Sequence, residues 1–206
     1  KPIENPYISK NTLLTSVEIP ELVSITGGLH LSDTNPLITS WTFDKLVTIG
    51  GLATMNYYAP SDTLTEISLP KLTSVSGGLN VTDLKKLTTL SAPELTDIGL
   101  CPEWGDAGEA CSFGFLWLNS NDALDSVSMD KLEHISGGLY VRSNDALTEL
   151  SFPLLSDTGA ALNQAPEGTE FDYYYGAYWN ISDNSLLNNL AFPALTTIVC
   201  LLTINV

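Results

Sequence analysis

Residues Leu64–Val81 read LTEISLPKLTSVSGGLNV. Three short runs alternate apolar and polar residues, and Pro70 and Gly77–Gly78 cut them apart. Alternation with a period of two is the signature of half-buried strands. The same order returns along the chain as Leu14–Leu31 (LTSVEIPELVSITGGLHL), Leu87–Gly99 (LTTLSAPELTDIG), Leu124–Val141 (LDSVSMDKLEHISGGLYV), Leu147–Gly159 (LTELSFPLLSDTG) and Leu187–Val199 (LNNLAFPALTTIV). Ile38–Thr54 (ITSWTFDKLVTIGGLAT) is a poorer copy. The consensus is L-x-x-Φ-x-Φ-P-x-L-x-x-I-x-G-G-L-x-Φ-x-x-N, with Φ apolar.

The Φ of the L-x-Φ step is expected at Ile8, Leu31, Thr54, Val81, Leu118, Val141, Ile181 and Ile204, at intervals of 23, 23, 27, 37, 23, 40 and 23 residues. The unit is therefore 23 residues, with insertions of 4, 14 and 17 near 56–60, 100–115 and 160–177. Proline recurs at Pro20, Pro70, Pro93, Pro153 and Pro193, which excludes a helix there and suits a corner, since proline has no N–H for a sheet ladder. Asp44 and Asp130 replace it in two repeats, as a turn permits. Gly27–Gly28, Gly50–Gly51, Gly77–Gly78 and Gly137–Gly138 mark a second corner, where positive φ or close backbone approach is required. Asn11, Asn35, Asn121, Asn144 and Asn184 mark a third, where stacked side chains bond to the turn and to neighbouring coils. Three corners and three strands per unit predict one domain over residues 1–206. It is an all-β, right-handed parallel β-solenoid of triangular section, whose coils bury their apolar side only by stacking.

These blocks resemble the leucine-rich repeats of receptor L domains, and most closely the serial L-domain repeats of GPI-anchored fungal cell-wall proteins and other surface proteins. Leu147–Pro153 (LTELSFP) and Ile135–Asn144 (ISGGLYVRSN) carry the likeness. The resemblance implies a β-solenoid at the cell surface or in the cell wall.

Of 206 residues, 24 are acidic and 8 basic, for a net charge of −16, and Arg142 is the one arginine. Such a chain has little to neutralise phosphates, which excludes nucleic acid, and it has no polybasic membrane patch. Its apolar runs fall far short of a bilayer span. No signal peptide opens it, so it reads as a mature form or an excised piece. Cys101 and Cys111 bracket the polar loop CPEWGDAGEAC, a spacing that suits a local disulfide in an oxidising, extracellular setting, against two free thiols in a reducing one.

No catalytic signature stands out, and nothing implies a cofactor or a metal. His30 and His134 lack metal-spaced partners and read as surface residues. The repeat breaks are more informative. Trp104–Phe115 and Gln164–Trp179 leave the rod at the same corner two coils apart, so these loops are expected to touch. The second carries Tyr173, Tyr174 and Tyr175. The adjacent outward column is expected to read Tyr7, His30, Ala53, Asn80, Trp117, Tyr140, Asn180, Thr203. Clustered aromatics there suggest a recognition surface for a glycan or a protein; equally, the tyrosines pack the loops onto the rod. A column of Thr15, Thr39, Thr65, Thr88, Asp125, Thr148 and Asn188 is reminiscent of an ice-binding ladder, but β-propensity and solubility account for it better. Asn80 (NVT) and Asn180 (NIS) are glycosylation sequons.

The expected function is that of a structural or adhesive solenoid outside the cell, with self-stacking or another surface protein or glycan as partner. The chain begins and ends on the same strand of the unit, at Pro6–Ile8 and Leu202–Val206, so columns of one copy would run on into the next as a filament, with Cys200 at the junction. The alternative is a ligand-binding module for glycan, protein or ice, and a solenoid polysaccharide-active enzyme comes last. For the cysteines, alkylation of the native protein followed by intact-mass measurement should label one thiol before reduction and three after it; three labels without reductant exclude the Cys101–Cys111 bond.

Overall fold

The computed structural model describes residues 6–8, 11, 13–31, 37–55, 63–99, 114–159, 178–198 and 201–205. All regular structure among them is strand, and every pairing is parallel. The chain is a parallel β-solenoid with three strand-bearing faces.

The first face is an eight-stranded sheet of β1 (Tyr7–Ile8), β3 (Leu29–Leu31), β6 (Ala53–Met55), β9 (Leu79–Thr82), β12 (Leu116–Asn119), β15 (Leu139–Arg142), β18 (Tyr178–Ser182) and β21 (Leu201–Asn205), in that order. The second holds seven two-residue strands: β2 (Ser24–Ile25), β5 (Thr48–Ile49), β8 (Ser74–Val75), β11 (Asp97–Ile98), β14 (His134–Ile135), β17 (Asp157–Thr158) and β20 (Thr197–Ile198). The third runs β4 (Ser40–Thr42), β7 (Glu66–Ser68), β10 (Thr89–Ser91) and β13 (Ser126–Ser128). It then breaks before β16 (Glu149–Ser151) and β19 (Asn189–Ala191), at the rung where Asp125 enters the threonine column. Inward positions of all three faces form one apolar core, fully buried through the middle coils.

Each corner uses its residues differently. At the proline corner the residue before Pro accepts from the N–H three positions on: Leu69 O from Leu72 (3.2 Å), Ala92 O from Leu95 (3.1 Å) and Phe152 O from Leu155 (3.2 Å). These are β-turns with Pro at their second position, where its fixed φ fits and its missing N–H is not needed. The Gly-Gly corner requires close approach: a Cβ on Gly51 would lie 2.8 Å from Gly28 N, and one on Gly77 2.6 Å from Leu52 N. Positive φ among described glycines occurs instead at Gly99 (+82°) and Gly159 (+79°), the last described residues before the two long insertions.

The asparagine corner is a buried ladder. Leu84 N–H donates to Asn121 Oδ1 (3.1 Å), Asn121 N–H to Asn144 Oδ1 (3.2 Å) and Asn144 N–H to Asn184 Oδ1 (3.0 Å). The amide groups donate in turn to carbonyls of the preceding coil, Asn121 to Val81 and Asn144 to Leu118. The residue before each rung takes positive φ: Asp83, Ser120, Ser143 and Asp183. Asn11 is exposed and closes the equivalent turn, its carbonyl accepting from Leu14 N–H (3.0 Å); Asn35 lies outside the described residues.

One stretch of the expected register is wrong by a residue. Leu29 pairs with Ala53 and Leu31 with Met55, so Met55, not Thr54, holds the inward column, and Thr54, not Ala53, faces out. The step from Leu31 to Met55 is 24 residues and that from Met55 to Val81 is 26, rather than 23 and 27. Equating the Gly-Gly pairs would bury Thr54 and expose Met55. A one-residue slip exchanges the two sides of the strand, and the fold takes the side that buries the thioether. The expected insertion near 56–60 lies outside the described residues.

Ion pairs also run rung to rung, as in Lys45–Glu21 (2.7 Å), Lys85–Asp122 (2.9 Å) and Lys131–Glu94 (2.6 Å). They are exposed and contribute little to stability. The hydrogen bond from Lys131, and then its charge, hold the Glu94 carboxyl below its ordinary pKa. That small contribution is present above the unfolded carboxyl's pKa and fades as pH falls through the folded one.

Asn144→Ala removes an acceptor serving Asn121 and strands buried backbone groups, and should cost about 2–3 kcal/mol in urea unfolding. Thr88→Val, which removes one exposed hydroxyl-to-carbonyl bond, should cost under about 1 kcal/mol. Equal effects would show that the ladder is not what holds the corner.

Candidate aromatic and amide face

Parallel register places Tyr7, His30, Thr54, Asn80, Trp117, Tyr140, Asn180 and Thr203 in one outward column of the eight-stranded face. Asn80, Trp117, Tyr140 and Asn180 occupy consecutive rungs. Each strand alternates apolar-in and polar-out, so these side chains project from the rod.

Trp117 and Tyr140 meet as expected. Their ring centroids are 4.0 Å apart at an interplanar angle of 19°, and Phe115 meets Trp117 edge-on at 6.1 Å and 73°. The two rings stack along the rod axis, face against face. Each thus spends a π-face on its neighbour, and the pair presents ring edges to solvent. Both residues are half-buried. Such a pair stabilises the rungs and offers an indole N–H and a phenol O–H rather than an open platform.

Beside the pair, Arg142 Nε donates to Asp183 Oδ2 at 2.7 Å. The Tyr140 oxygen first, and the Asp183 carboxylate with it, raise the arginine's pKa above its ordinary value. The Thr82 hydroxyl bonds to Asn80 Oδ1 within the NVT sequon. Asn180 differs: its Oδ1 is buried and has no hydrogen-bond donor among the described residues. The two sequons bracket the aromatic pair, so glycosylation of Asn80 and Asn180 and binding of a ligand to this face would exclude one another.

Tyr173, Tyr174 and Tyr175, the cysteines Cys101, Cys111 and Cys200, and the expected contact between the two loops lie outside the described residues. Trp179, expected at the end of the second insertion, is instead an inward residue of β18, 1% exposed. It takes the place that Leu139 holds one rung below. Its indole N–H donates to Thr158 Oγ1 at 2.8 Å, and Phe192 meets it edge-on at 5.2 Å. Thr158 itself replaces an isoleucine of the second face. Two departures from the repeat thus satisfy one another in the core.

The second face brings together a group the sequence reading left apart. His134 Nδ1 lies 2.7 Å from Asp157 Oδ2 and 3.4 Å from Ser156 Oγ, and His134 Nε2 lies 3.8 Å from Glu133. Serine and aspartate share one ring nitrogen, so the imidazole does not bridge them as a general base would. The signal was available in the offset of one unit from His134 to Asp157.

Two hydroxyls of the threonine column are bonded to the coil before. Thr65 Oγ1 donates to Thr39 O (3.1 Å) and Thr88 Oγ1 to Thr65 O (3.0 Å). A second such column, on the other side of the proline corner, includes Thr96 to Thr73 O (3.0 Å) and Thr196 to Ser156 O (3.1 Å). Among the described residues no group of three or more His, Cys, Asp or Glu has metal-binding geometry. No known protein family, curated protein or solved structure matches the chain.

The stack makes a direct prediction. A double-mutant cycle of Trp117→Ala and Tyr140→Ala should give a coupling of about 1 kcal/mol in denaturant unfolding. Additive losses would mean that the rings do not hold one another.

Proposed function

We propose that this chain is a non-enzymatic, L-domain-like leucine-rich solenoid of the cell surface or extracellular space, acting as a structural or adhesive rod. One observation carries the proposal: side chains with chemistry to offer are largely committed to joining one coil to the next. Asn121 and Asn144 carry the ladder, threonine hydroxyls cap carbonyls of the coil before, and lysines pair with carboxylates one rung away. Eight rungs at about 4.8 Å give a stiff body some 34 Å long.

Self-association is part of the reading. The apolar column keeps one phase from Ile8 to Ile204, so a further coil, from the same polypeptide or from a second copy, would continue it in register. A heterologous contact of this kind does not close, and it builds filaments. A ligand-binding module is the second reading, favoured by the amides and aromatic rings of Asn80, Trp117, Tyr140 and Asn180 on consecutive rungs. An ice-binding surface has less support, because Asp125 and Asn188 interrupt the column and its Thr65 and Thr88 hydroxyls already donate to backbone.

Sedimentation velocity over a broad concentration range should show species growing beyond the 22.2 kDa chain, with elongated particles in electron micrographs. A single monomer across that range excludes self-stacking.

A further inference from the structure

We infer that the face bearing Asn80, Trp117, Tyr140 and Asn180 binds an extended, neutral, β-linked polysaccharide laid along the rod axis. The inference rests on the adhesive reading and names its partner.

Charge selects the class. The chain carries −16 in 206 residues, yet none of the outward strand positions of this face is a carboxylate. Acids do project from the other two faces, at Asp97 and Asp157 and at Glu66 and Glu149. The one arginine, Arg142, is already paired with Asp183 and holds no free charge for an anion. An acidic polymer would meet the long-range repulsion of the whole chain with no compensating cation, whereas a neutral one would not.

Geometry selects the shape. Consecutive rungs offer a carboxamide, an indole, a phenol and a second carboxamide, a repeat of about 4.8 Å along the axis. A polymer with hydroxyls on every residue and a repeat close to one rung can bond to each. The rings stand edge-out, so they take part through N–H and O–H rather than by stacking on a sugar. Asn180 offers this rung's hydrogen bond through its amide Nδ2, since its Oδ1 is buried out of a ligand's reach.

The test uses the whole chain made in a bacterial host, which leaves Asn80 and Asn180 unmodified. Co-sedimentation is measured with chitin and cellulose, with starch granules as a coiled α-linked control and polygalacturonate beads as an acidic one. The expected result is retention by chitin or cellulose and by neither control. Asn180→Leu and Asn80→Leu should each bind about tenfold more weakly, with unchanged circular dichroism. Ser128→Leu on the third face should bind as the parent does, and serves as the folded control. Equal retention on all four matrices, retention on none, or binding unmoved by both asparagine variants overturns the inference. Concentration-dependent assembly in sedimentation velocity is read on the same samples, so the structural reading stands or falls separately.

Discussion

Every feature of this molecule depends on successive coils reaching the same phase. A 23-residue turn buries nothing by itself; its leucines and isoleucines are covered only when the next turn lays equivalent residues upon them. Hydrogen bonding enforces that match most strictly where it is buried. The Asn144 side chain accepts from both the backbone and the amide of Asn121 while donating to Leu118 and Arg142 carbonyls. Displacing one coil by a residue would break all of these together and leave polar groups without water. The ladder is therefore a register device as well as a source of stability. It ends at Leu84, whose N–H still finds Asn121 but whose side chain can pass nothing on.

Phase also explains where the chain departs from the unit. The two long insertions both leave after the second face, at Gly99 and Gly159, and both return on the first, at Leu116 and Trp179. The left-handed φ at each of these glycines is a conformation open to glycine at little cost. The steps between faces before the exits are conserved to the residue: Val81 to Ile98 and Val141 to Thr158 are both 17. The coil up to each exit is thus unaltered by the extra chain that follows.

Much of this was legible because proline, paired glycine and asparagine each recur for a distinct physical reason. Pro70 and Pro153 announced a turn without a donor, and Gly77 a close approach of backbones. Pattern reading failed where two signals conflicted. Gly50–Gly51 invited a glycine-to-glycine alignment, but burial of Met55 decided the register. It also failed where residues break the consensus in compensating pairs. Trp179 looked like part of an aromatic loop because nothing nearby shows that Thr158, 21 residues earlier, offers its indole an acceptor. The edge-out stacking of Trp117 on Tyr140 was beyond reach as well. Adjacent rungs could be inferred from spacing, but ring orientation depends on side-chain torsions and on Phe115.

That orientation changes what the aromatic cluster means. Exposed aromatic rings on a regular surface invite a stacking platform, but rings on neighbouring parallel strands lie nearly one strand spacing apart, close to their own contact distance. They satisfy one another first. What remains available is the polar rim, and here the rim is continuous with the amides of Asn80 and Asn180. Both rungs fed by the long insertions, β12 and β18, belong to this same face, with Tyr140 between them. A solenoid commits two faces and three corners to holding itself together. The margin where chain length is free to vary without disturbing phase is where new contacts can be acquired, and in this protein that margin adjoins the one face without carboxylates.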